Sequence, residues 1–329
     1  MSEINLQTSP TAQLSKSNPK VSIVLPVYDE EKTIQAVICE IVETLSQASI
    51  SYEIIAVEDG SKDESLPILR KLQSDHPGKL RIAQHTYNKG YGSALRTGIH
   101  VARGDIVVCM DADGQHNAVS IPQMLSMIPP YDMVIGFRTE NYRGKWYRNL
   151  GNRFYNAFAS WLSNFEILDL TSGFRAMRRE AVSHFLPLYP AGFSASLTVT
   201  LAFLKAGYSI TYIPVHVQER GGGKSKVSFL KDGGRFFILL LRMIMLYDPM
   251  RIFLPIGAGM LLLGALAWAL GILHEGRLIF PNSAIFLFTT ALLTVLLGLI
   301  ANQLVNSRIH YYGDESVTIY DEQPEEPAS

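Results

Sequence analysis

Two long uncharged apolar stretches near the C-terminal end constrain this chain more than any other feature. One runs from Ile252 to Leu273 and the other from Ala284 to Ser307, and neither contains a charged residue. Each reaches the roughly 20 residues that a helix needs to cross the hydrocarbon core of a bilayer. A buried helix of a soluble protein would pass the same test, but two such runs separated by the short segment His274 to Ser283 favour a transmembrane hairpin.

The cations around these stretches predict the orientation of the hairpin. Arginine and lysine concentrate in short cytoplasmic segments next to membrane spans. The loop between the two runs offers Arg277, whereas Arg308 follows the second run. Six further cations precede the first run: Lys224, Lys226, Lys231, Arg235, Arg242 and Arg251. Both termini are therefore expected in the cytoplasm.

Upstream of the hairpin, apolar stretches of strand length predict the buried strands of an α/β domain. Val21 to Glu31 reads as a strand that runs into an acidic helix start, and Tyr52 to Glu58 and the stretch beginning at Val107 also have strand character. These three successive strands all end in carboxylates, at positions 29–31, 58–59 and 111–113. Because open parallel sheets bind ligands at the carboxyl ends of their strands, we expect a polar site there.

The last of these strands is followed by two carboxylates one residue apart, Asp111 and Asp113. Alternation along a strand would place both on one face. Mg2+ and Mn2+ prefer oxygen ligands, and one or two carboxylates plus substrate phosphate oxygens can complete their coordination. The alternative is an acidic turn that caps the next helix. The pair predicts a divalent metal site when it is taken together with the other acidic strand ends.

A glycine-rich helix start lies between the second strand and this pair. The segment Asn88 to Gly98 contains two early glycines and two cations, so its backbone is suited to approach by an anionic ligand. A tight turn is the alternative interpretation.

The motifs resemble, in order, those of family 2 inverting glycosyltransferases. The set is most similar to the polyprenyl-phosphate hexose synthases, including dolichyl-phosphate mannose synthase and bactoprenol glucosyltransferases. It consists of Pro-Val-Tyr-Asp-Glu at 26–30, Glu-Asp-Gly-Ser-Lys-Asp at 58–63, Asn-Lys-Gly-Tyr-Gly at 88–92, Asp-Ala-Asp-Gly-Gln-His at 111–116, Gly-Phe-Arg at 136–138, Asp-Leu-Thr-Ser-Gly-Phe-Arg at 169–175 and Arg-Gly-Gly-Gly-Lys-Ser-Lys at 220–226. The resemblance covers roughly Val21 to Leu230 by motif and implies a GT-A-like domain with a mainly parallel sheet.

The resemblance also implies residue roles. It places the donor nucleotide sugar on Pro26, Tyr28, Glu30, Glu58, Asp59, Lys89, Gly90 and Asp111. It gathers Asp111, Asp113 and Gln115 around Mg2+ or Mn2+ and the diphosphate, and it lets Arg220, Ser225 and Lys226 close a flexible loop over the same phosphates. A disordered basic linker beside a membrane is the alternative for that loop. Asp113 and Arg220 would thus act in catalysis.

Two departures from the family pattern affect the mechanism. Many members have Asp-Asp where this chain has Glu58-Asp59, and many place an acidic residue within the segment Phe193 to Leu197, which has none here. A phosphate monoester has a second pKa of about 6, so a polyprenyl phosphate is already a nucleophile at neutral pH and needs no protein base.

Arginines are the expected ligands of that acceptor phosphate, because a guanidinium matches phosphate oxygens in geometry. We predict Arg138, Arg148 and Arg175 for this role, with Asp169 orienting the Arg175 segment. The alternative is that these are surface cations paired with nearby acids.

The chain divides into five predicted parts. They are a disordered leader (1–20), a catalytic domain (21–227), a juxtamembrane amphipathic helix in the headgroup layer (228–248), the transmembrane hairpin (249–309) and an acidic tail (310–329). A net charge of −1 and a pI near 6.7 argue against a nucleic-acid partner. A homo-oligomer is compatible with this organisation.

The predicted reaction is transfer of a hexose, with inversion, from a UDP-glucose or GDP-mannose type donor to polyprenyl phosphate in the membrane. Three alternatives remain. A processive polysaccharide synthase would carry a Gln-x-x-Arg-Trp motif and more spans, a transferase acting on a lipid hydroxyl would need a base, and a nucleotide-binding scaffold would show no turnover.

Overall fold

The computed structural model of the chain describes residues 20–138, 146–192, 194–217, 241, 243–245, 247–277 and 280–308. The predicted leader, the acidic tail, the basic loop and most of the juxtamembrane segment lie outside these residues. Within the described part, seven strands form one sheet: β1 Val21–Val27, β2 Tyr52–Glu58, β3 Leu80–Gln84, β4 Ile106–Cys109, β5 Met133–Arg138, β6 Arg175–Arg178 and β7 Ile210–Val215.

The sheet has the order β3-β2-β1-β4-β6-β5-β7. Every neighbouring pair is parallel except those made by β6, which runs antiparallel to both β4 and β5. The predicted α/β fold with a mainly parallel sheet is therefore confirmed. The antiparallel β6 has one consequence for the site: the loop that precedes it lies at the same sheet edge as the loops that follow β1, β2, β4 and β5.

Helices cover both faces of the sheet, which explains why its central strands are apolar on both sides. The helices of the domain are α1 Ile34–Gln47, α2 Ser65–Asp75, α3 Tyr91–Val101, α4 Ile121–Ser126, α5 Trp146–Ser163, α6 Arg179–His184 and α7 Ala195–Lys205. Apolar residues of α1, α2 and α4 pack on one face, and those of α3, α6 and α7 pack on the other.

One feature of the strand order differs from the prediction. The strand β3 lies between β2 and β4 along the chain and is followed by His85, so the carboxylate-ending strands are not successive in sequence. They are neighbours in space, because β1 pairs with both β2 and β4. The predicted cluster of acidic strand ends is thus formed by the sheet order.

The hairpin consists of α8 Met250–Glu275 and α9 Asn282–Arg308, two antiparallel helices long and apolar enough to cross a membrane. Glycines permit their close contact: a Cβ on Gly257 would lie 2.6 Å from Val295 Cγ2, and one on Gly298 would lie 2.6 Å from Phe253 Cβ. Large leucines cover the outer surface, and Leu262 is 72% exposed. A continuous apolar surface of this kind fits lipid rather than water, so the chain is a membrane protein.

The base of the hairpin is attached to the α/β domain at the C-terminal end of α5. Arg251 donates from Nη1 to Leu162 O at 2.7 Å and from Nη2 to Asn164 Oδ1 at 3.0 Å, and its guanidinium lies 4.5 Å from the ring centroid of Trp161. A cation that bonds the last carbonyls of a helix also interacts favourably with the helix dipole. Arg251 therefore joins the hairpin to the domain.

The described end of the juxtamembrane segment packs against protein. Met243 is fully buried in a cluster with Leu197 and Leu201 of α7 and Ala159 of α5. The prediction of a helix in the headgroup layer otherwise concerns residues outside the described part of the chain.

The tight contact at Gly257 can be tested against a matched position. We expect Gly257→Val to lower the apparent Tm of the detergent-solubilised protein by several degrees, because overpacking a close helix contact costs about 1–3 kcal/mol. Gly259→Val is the control, since a Cβ there meets nothing within 4 Å. Equal losses of thermal stability in the two variants would contradict the packing described here.

Candidate functional site

The site is built from loops at one edge of the sheet. The registers of β1 with β2 and β4 bring the carboxyl ends of these three strands side by side. The loop after β5 and the loop before β6 complete this edge. Such an edge is where open α/β sheets bind ligands. The predicted residues converge here because the topology brings together segments distant in sequence.

Asp111 is bonded by a tyrosine and has room for its carboxylate beside a glycine. Its Oδ1 accepts a hydrogen bond of 2.8 Å from Tyr91 Oη. A Cβ on Gly173 would lie 2.8 Å from both Asp111 oxygens, so only glycine fits beside the carboxylate. Burial, reinforced by the Asp111 charge, raises the pKa of Tyr91 well above 10. Tyr91 therefore remains a hydrogen-bond donor at all physiological pH values and fixes the orientation of Asp111.

Asp113 lies in a turn, not on the strand. The strand β4 ends at Cys109, so the prediction that strand alternation aligns Asp111 and Asp113 is wrong. Gly114 adopts a positive φ of 72°, and Asp113 Oδ1 accepts the Gln115 backbone N–H at 3.1 Å. The turn, and not the pleat of the strand, therefore sets the position of the second carboxylate.

The oxygen groups at this turn fit a divalent cation. No group of three or more histidine, cysteine, aspartate or glutamate residues in the part of the chain that the structure describes is arranged so that it could hold a metal ion by itself. A cation bound together with a substrate diphosphate does not need one, because it commonly takes one or two carboxylates and completes its shell with phosphate and water oxygens. Asp111 and Asp113 carboxylates with the Gln115 amide provide hard oxygen donors of that kind.

Asp59 supports a turn instead of facing an open site. It is buried, and its Oδ1 accepts the Lys89 N–H at 2.9 Å and contacts His85 Nδ1 at 2.7 Å, while its Oδ2 accepts the Gly90 N–H at 2.8 Å. The Lys89 and Gly90 amides are thus bonded to Asp59 in this structure, and the predicted contacts of Asp59, Lys89 and Gly90 with the nucleotide sugar stay predictions. The carboxylate satisfies the amides at the start of α3 itself, as a helix cap does.

The glycines of this turn accommodate the protein's own backbone. A Cβ on Gly90 would lie 2.5 Å from Ala191 O, and one on Gly92 would overlap Pro190 O. The Gly92 N–H donates to Ala191 O at 3.0 Å. The close approach that the glycines predicted is real, but the approaching group is the segment before α7.

His85 is a site residue that the sequence analysis missed. It is buried, and its Nε2 lies 2.9 Å from Thr97 Oγ1 on α3 while its Nδ1 contacts Asp59. The signal was its place directly after β3, at the same edge as the acidic strand ends. His85 thus joins the edge strand β3 to α3 through Thr97 and to the turn after β2 through Asp59.

Glu58 and the residues after β1 fix the neighbouring loops. Glu58 is buried, and its Oε1 accepts the Ser61 N–H, which closes the turn after β2. The Glu30 N–H donates to Ser65 Oγ at 2.9 Å, so the loops after β1 and β2 are joined. Pro26 in β1 and Tyr28 and Glu30 after it are partly exposed at this edge, as a donor-binding role requires.

Asp169 and Arg138 form an ion pair at the same edge. Arg138 Nε donates to Asp169 Oδ2 at 2.9 Å and Nη2 approaches Oδ1 at 3.3 Å, while Nη2 also donates to Thr171 Oγ1 at 2.8 Å. Burial raises the pKa of Asp169, but the Arg138 charge and the hydrogen bonds from Arg138 and Thr171 outweigh burial and hold it below 3.8. Asp169 therefore orients Arg138, and the prediction that it orients the Arg175 segment is wrong.

Arg175 does not reach the surface. It is 2% exposed and donates to Ser172 O, to Ser196 O at 2.9 Å and to Thr200 Oγ1 at 3.1 Å. Its predicted role as a ligand of the acceptor phosphate is wrong, because a group enclosed in this way cannot contact a lipid headgroup. Arg175 instead fastens the loop before β6 to the start of α7.

His116 is enclosed beside the acidic turn. Its ring lies 5.1 Å from the Phe174 ring, and its Nδ1 has no hydrogen-bond partner among the described residues. Burial lowers the pKa of His116, although the Asp111 and Asp113 charges act in the opposite direction. The ring is thus neutral at physiological pH and packs on an aromatic neighbour.

The remaining predicted residues lie wholly or partly outside the described structure. Arg220, Ser225 and Lys226 belong to residues 218–240, which are outside it, and Arg148 lies in α5, where the side chain is not among those described. Their roles stay predictions.

Comparison with known proteins gives two family matches and several relatives. The model of Glycosyl transferase family 2 matches residues 22–186, and that of the GtrB C-terminal hairpin matches residues 248–306. The undecaprenyl-phosphate 4-deoxy-4-formamido-L-arabinose transferase of Proteus mirabilis (strain HI4320) is 30% identical over 212 residues, 64% of each chain. The protein of that name from Sodalis glossinidius (strain morsitans) is 31% identical over 247 residues, 74% of this chain and 73% of its own.

The chain thus spans less than two thirds of the length of the Proteus relative. Among solved structures, a glucosyl-3-phosphoglycerate synthase from Mycobacterium tuberculosis in complex with Mn2+, uridine-diphosphate and phosphoglyceric acid is similar, with a TM-score of 0.54 and 20% identity over 69% of this chain and 78% of that one. At this identity the likeness concerns the fold. The motif series, the sheet edge and the two family matches agree, and the chain belongs to glycosyl transferase family 2.

Proposed function

We propose that this protein transfers a sugar, with inversion, from a nucleotide diphosphate sugar to a polyprenyl phosphate at the cytoplasmic membrane surface. The observation that carries the proposal is the composition of one sheet edge, where the carboxylates Asp111 and Asp113 adjoin the Arg138–Asp169 pair. A membrane hairpin in the same chain provides access to a lipid acceptor. The relatives named as undecaprenyl-phosphate sugar transferases support the same acceptor class.

The donor side of the site uses Asp111, Asp113 and Gln115. These residues would hold Mg2+ or Mn2+, which when bound would offset the charge of the leaving nucleotide diphosphate. Tyr91 keeps Asp111 oriented, and Gly173 leaves room for its carboxylate. Arg220, Ser225 and Lys226 would close over the same phosphates.

The acceptor side needs a cation and no base. A polyprenyl phosphate is largely dianionic at neutral pH, since its second pKa is about 6. One of its oxygens attacks the anomeric carbon, and the bond from that carbon to the diphosphate breaks with its electron pair leaving on the nucleotide. No proton is transferred in this step. Arg138, oriented by Asp169, and Arg148 would position the attacking phosphate.

Asp169 is poorly suited to act as a general base. Despite its burial, the neighbouring Arg138 and Thr171 lower its pKa from the ordinary aspartate value, which makes it a weak proton acceptor. A lipid hydroxyl acceptor would require a stronger base at this position. The ionised phosphate acceptor is therefore the better match to this site.

The donor sugar has two candidates. The sequence analysis predicts a hexose, whereas the names of the relatives specify 4-deoxy-4-formamido-L-arabinose. The decisive experiment incubates the full-length protein in lipid nanodiscs with radiolabelled UDP-glucose, GDP-mannose and nucleotide-linked 4-deoxy-4-formamido-L-arabinose. Undecaprenyl phosphate and undecaprenol are the paired acceptors.

We expect one donor to label undecaprenyl phosphate and none to label undecaprenol. Equal labelling of the alcohol would refute the phosphate-nucleophile mechanism. Nucleotide binding without transfer from any of the donors would instead indicate a scaffold.

Loss of the second carboxylate of the acidic turn should abolish transfer. We expect Asp113→Asn to lower kcat/KM by more than about 100-fold, since it removes a carboxylate proposed to hold the divalent cation. The Tm should change little, because Asp113 contacts the Gln115 N–H through one oxygen that asparagine retains. Asp75→Asn at the exposed end of α2 is the control. Near-normal turnover of Asp113→Asn at saturating Mg2+ or Mn2+ would contradict the assignment of Asp113 to the divalent cation.

The pH dependence distinguishes an ionised acceptor from a protein base. The acid limb of the pH profile is the fall of the single-turnover rate at low pH. It should follow the second pKa of the acceptor phosphate, which is about 6 and somewhat lowered by arginine. Asp169 stays ionised throughout this range because the Arg138 charge and the hydrogen bonds from Arg138 and Thr171 outweigh its burial and lower its pKa from the ordinary aspartate value. Asp169→Asn should therefore keep the acid limb while the rate falls about tenfold through loss of Arg138 orientation.

Arg138→Ala serves as the comparison for Asp169→Asn. It should weaken the reaction at least as strongly, because it removes the positioned cation itself. If Asp169→Asn erases the acid limb while Arg138→Ala is nearly silent, Asp169 is a general base and the mechanism is wrong.

A further inference from the structure

Asn156 on α5 holds both sides of Asp169. Its Nδ2 donates to Leu168 O at 2.6 Å, and its Oδ1 accepts the Leu170 N–H at 3.1 Å. These two backbone groups belong to the residues directly before and after Asp169. One carboxamide therefore satisfies a carbonyl and an amide that flank the acidic residue, which restricts how that short segment can turn.

A second contact one turn along α5 extends this hold. Ser160 Oγ accepts the Ile167 N–H at 2.9 Å and donates to Asn156 O at 2.7 Å. On the neighbouring face of the helix, Tyr155, Ala159 and Leu162 are buried in a cluster with apolar residues of α7 and of the 167–170 segment. The helix is thus fixed to the domain by apolar packing and presents its polar side to the 167–170 segment.

The side chains of the segment fix its two ends. Ile167 and Leu170 are buried in the same cluster, whereas Leu168, directly before Asp169, is 41% exposed. The hydrogen bonds of Asn156 therefore add a hold at the residues that flank Asp169. A binding group must be kept within about 0.5 Å of its working geometry by residues behind it. The carboxylate of Asp169 in turn sets Arg138 through two contacts.

We propose that Asn156 is a positioning residue for the acceptor phosphate, acting through Asp169 on Arg138. The inference rests on the proposed function, because it assigns the Arg138–Asp169 pair to the acceptor. It adds a residue outside all of the motifs that identified the family.

The same helix relates this pair to the membrane. From Asn156 to Ser163 at the end of α5 is a rise of about 10 Å at 1.5 Å per residue. At that end, Arg251 from the hairpin bonds Leu162 O, and Tyr247 Oη donates to Ser163 O at 3.2 Å. A phosphate carried by a membrane lipid is confined to the bilayer surface, so a rigid spacing between the hairpin and Arg138 sets where the phosphate is received.

The test is the Asn156→Ala variant of the full-length protein in nanodiscs. The KM for undecaprenyl phosphate should rise about tenfold, the size expected when hydrogen bonds that hold a charged group are lost. The KM for the nucleotide sugar should stay within about twofold of the original value, since the Asn156 side chain bonds the backbone of Leu168 and Leu170, on the proposed acceptor side.

Gln73→Ala is the matched control. Gln73 in α2 donates from Nε2 to the backbone carbonyl of Leu80 in β3 at 3.3 Å, and β3 is the edge strand on the far side of the sheet from β6 and Asp169. This variant should leave both KM values unchanged. A merely structural role of Asn156 would reduce the active fraction and hence kcat with both KM values intact. That outcome, or a parallel rise of the donor KM, would overturn the inference.

A separate binding measurement keeps the inference independent of turnover. Affinity for undecaprenyl phosphate in nanodiscs should fall about tenfold in Asn156→Ala and remain unchanged in Gln73→Ala. If the unmodified protein transfers no sugar, the proposed function fails while this binding difference still decides the role of Asn156. Equal affinity of Asn156→Ala and the unmodified protein would overturn the positioning role.

Discussion

The concentration of carboxylates at one sheet edge is the constraint on which the rest of the site depends. Sheet order places the ends of β2, β1 and β4 side by side, and each is followed by acidic residues. Like charges at short range destabilise a fold unless donors or cations are supplied. The neighbouring loops meet this need in three ways: Tyr91 bonds Asp111, backbone amides and His85 bond Asp59, and Arg138 pairs with Asp169.

The antiparallel strand β6 brings the proposed donor side and the proposed acceptor side of the site together. Because β6 runs against its neighbours, the loop that precedes it returns to the carboxyl edge and delivers Gly173 to Asp111 and Asp169 to Arg138. In a purely parallel sheet, that loop would lie at the opposite edge. The donor-side carboxylates and the proposed acceptor-side pair therefore adjoin each other through a short stretch of chain, residues 169–173.

Sequence patterns predicted the parts of this protein that depend on local composition. Apolar length identified the hairpin, and acidic strand ends identified the site edge. The errors arose where a partner comes from a distant segment. The enclosure of Arg175 depends on Ser196, and the Gly90 and Gly92 contacts depend on the backbone before α7. The edge strand β3, with polar Arg81 and Gln84, lacks the apolar run of a central strand, so His85 after it was missed.

The net charge of the Arg138–Asp169 pair limits how far the pair can stabilise an acceptor phosphate. The pair is close to neutral as a unit, because the low pKa of Asp169 keeps its carboxylate ionised. Arg138 can thus direct hydrogen bonds at a phosphate, but the pair supplies little net positive charge to offset a dianion that approaches a diphosphate. Geometry and charge compensation must therefore come from different groups. Within the proposed function, orientation belongs to Arg138 and Asp169, and the compensating charge belongs to the cations of residues 220–226 and to the divalent ion.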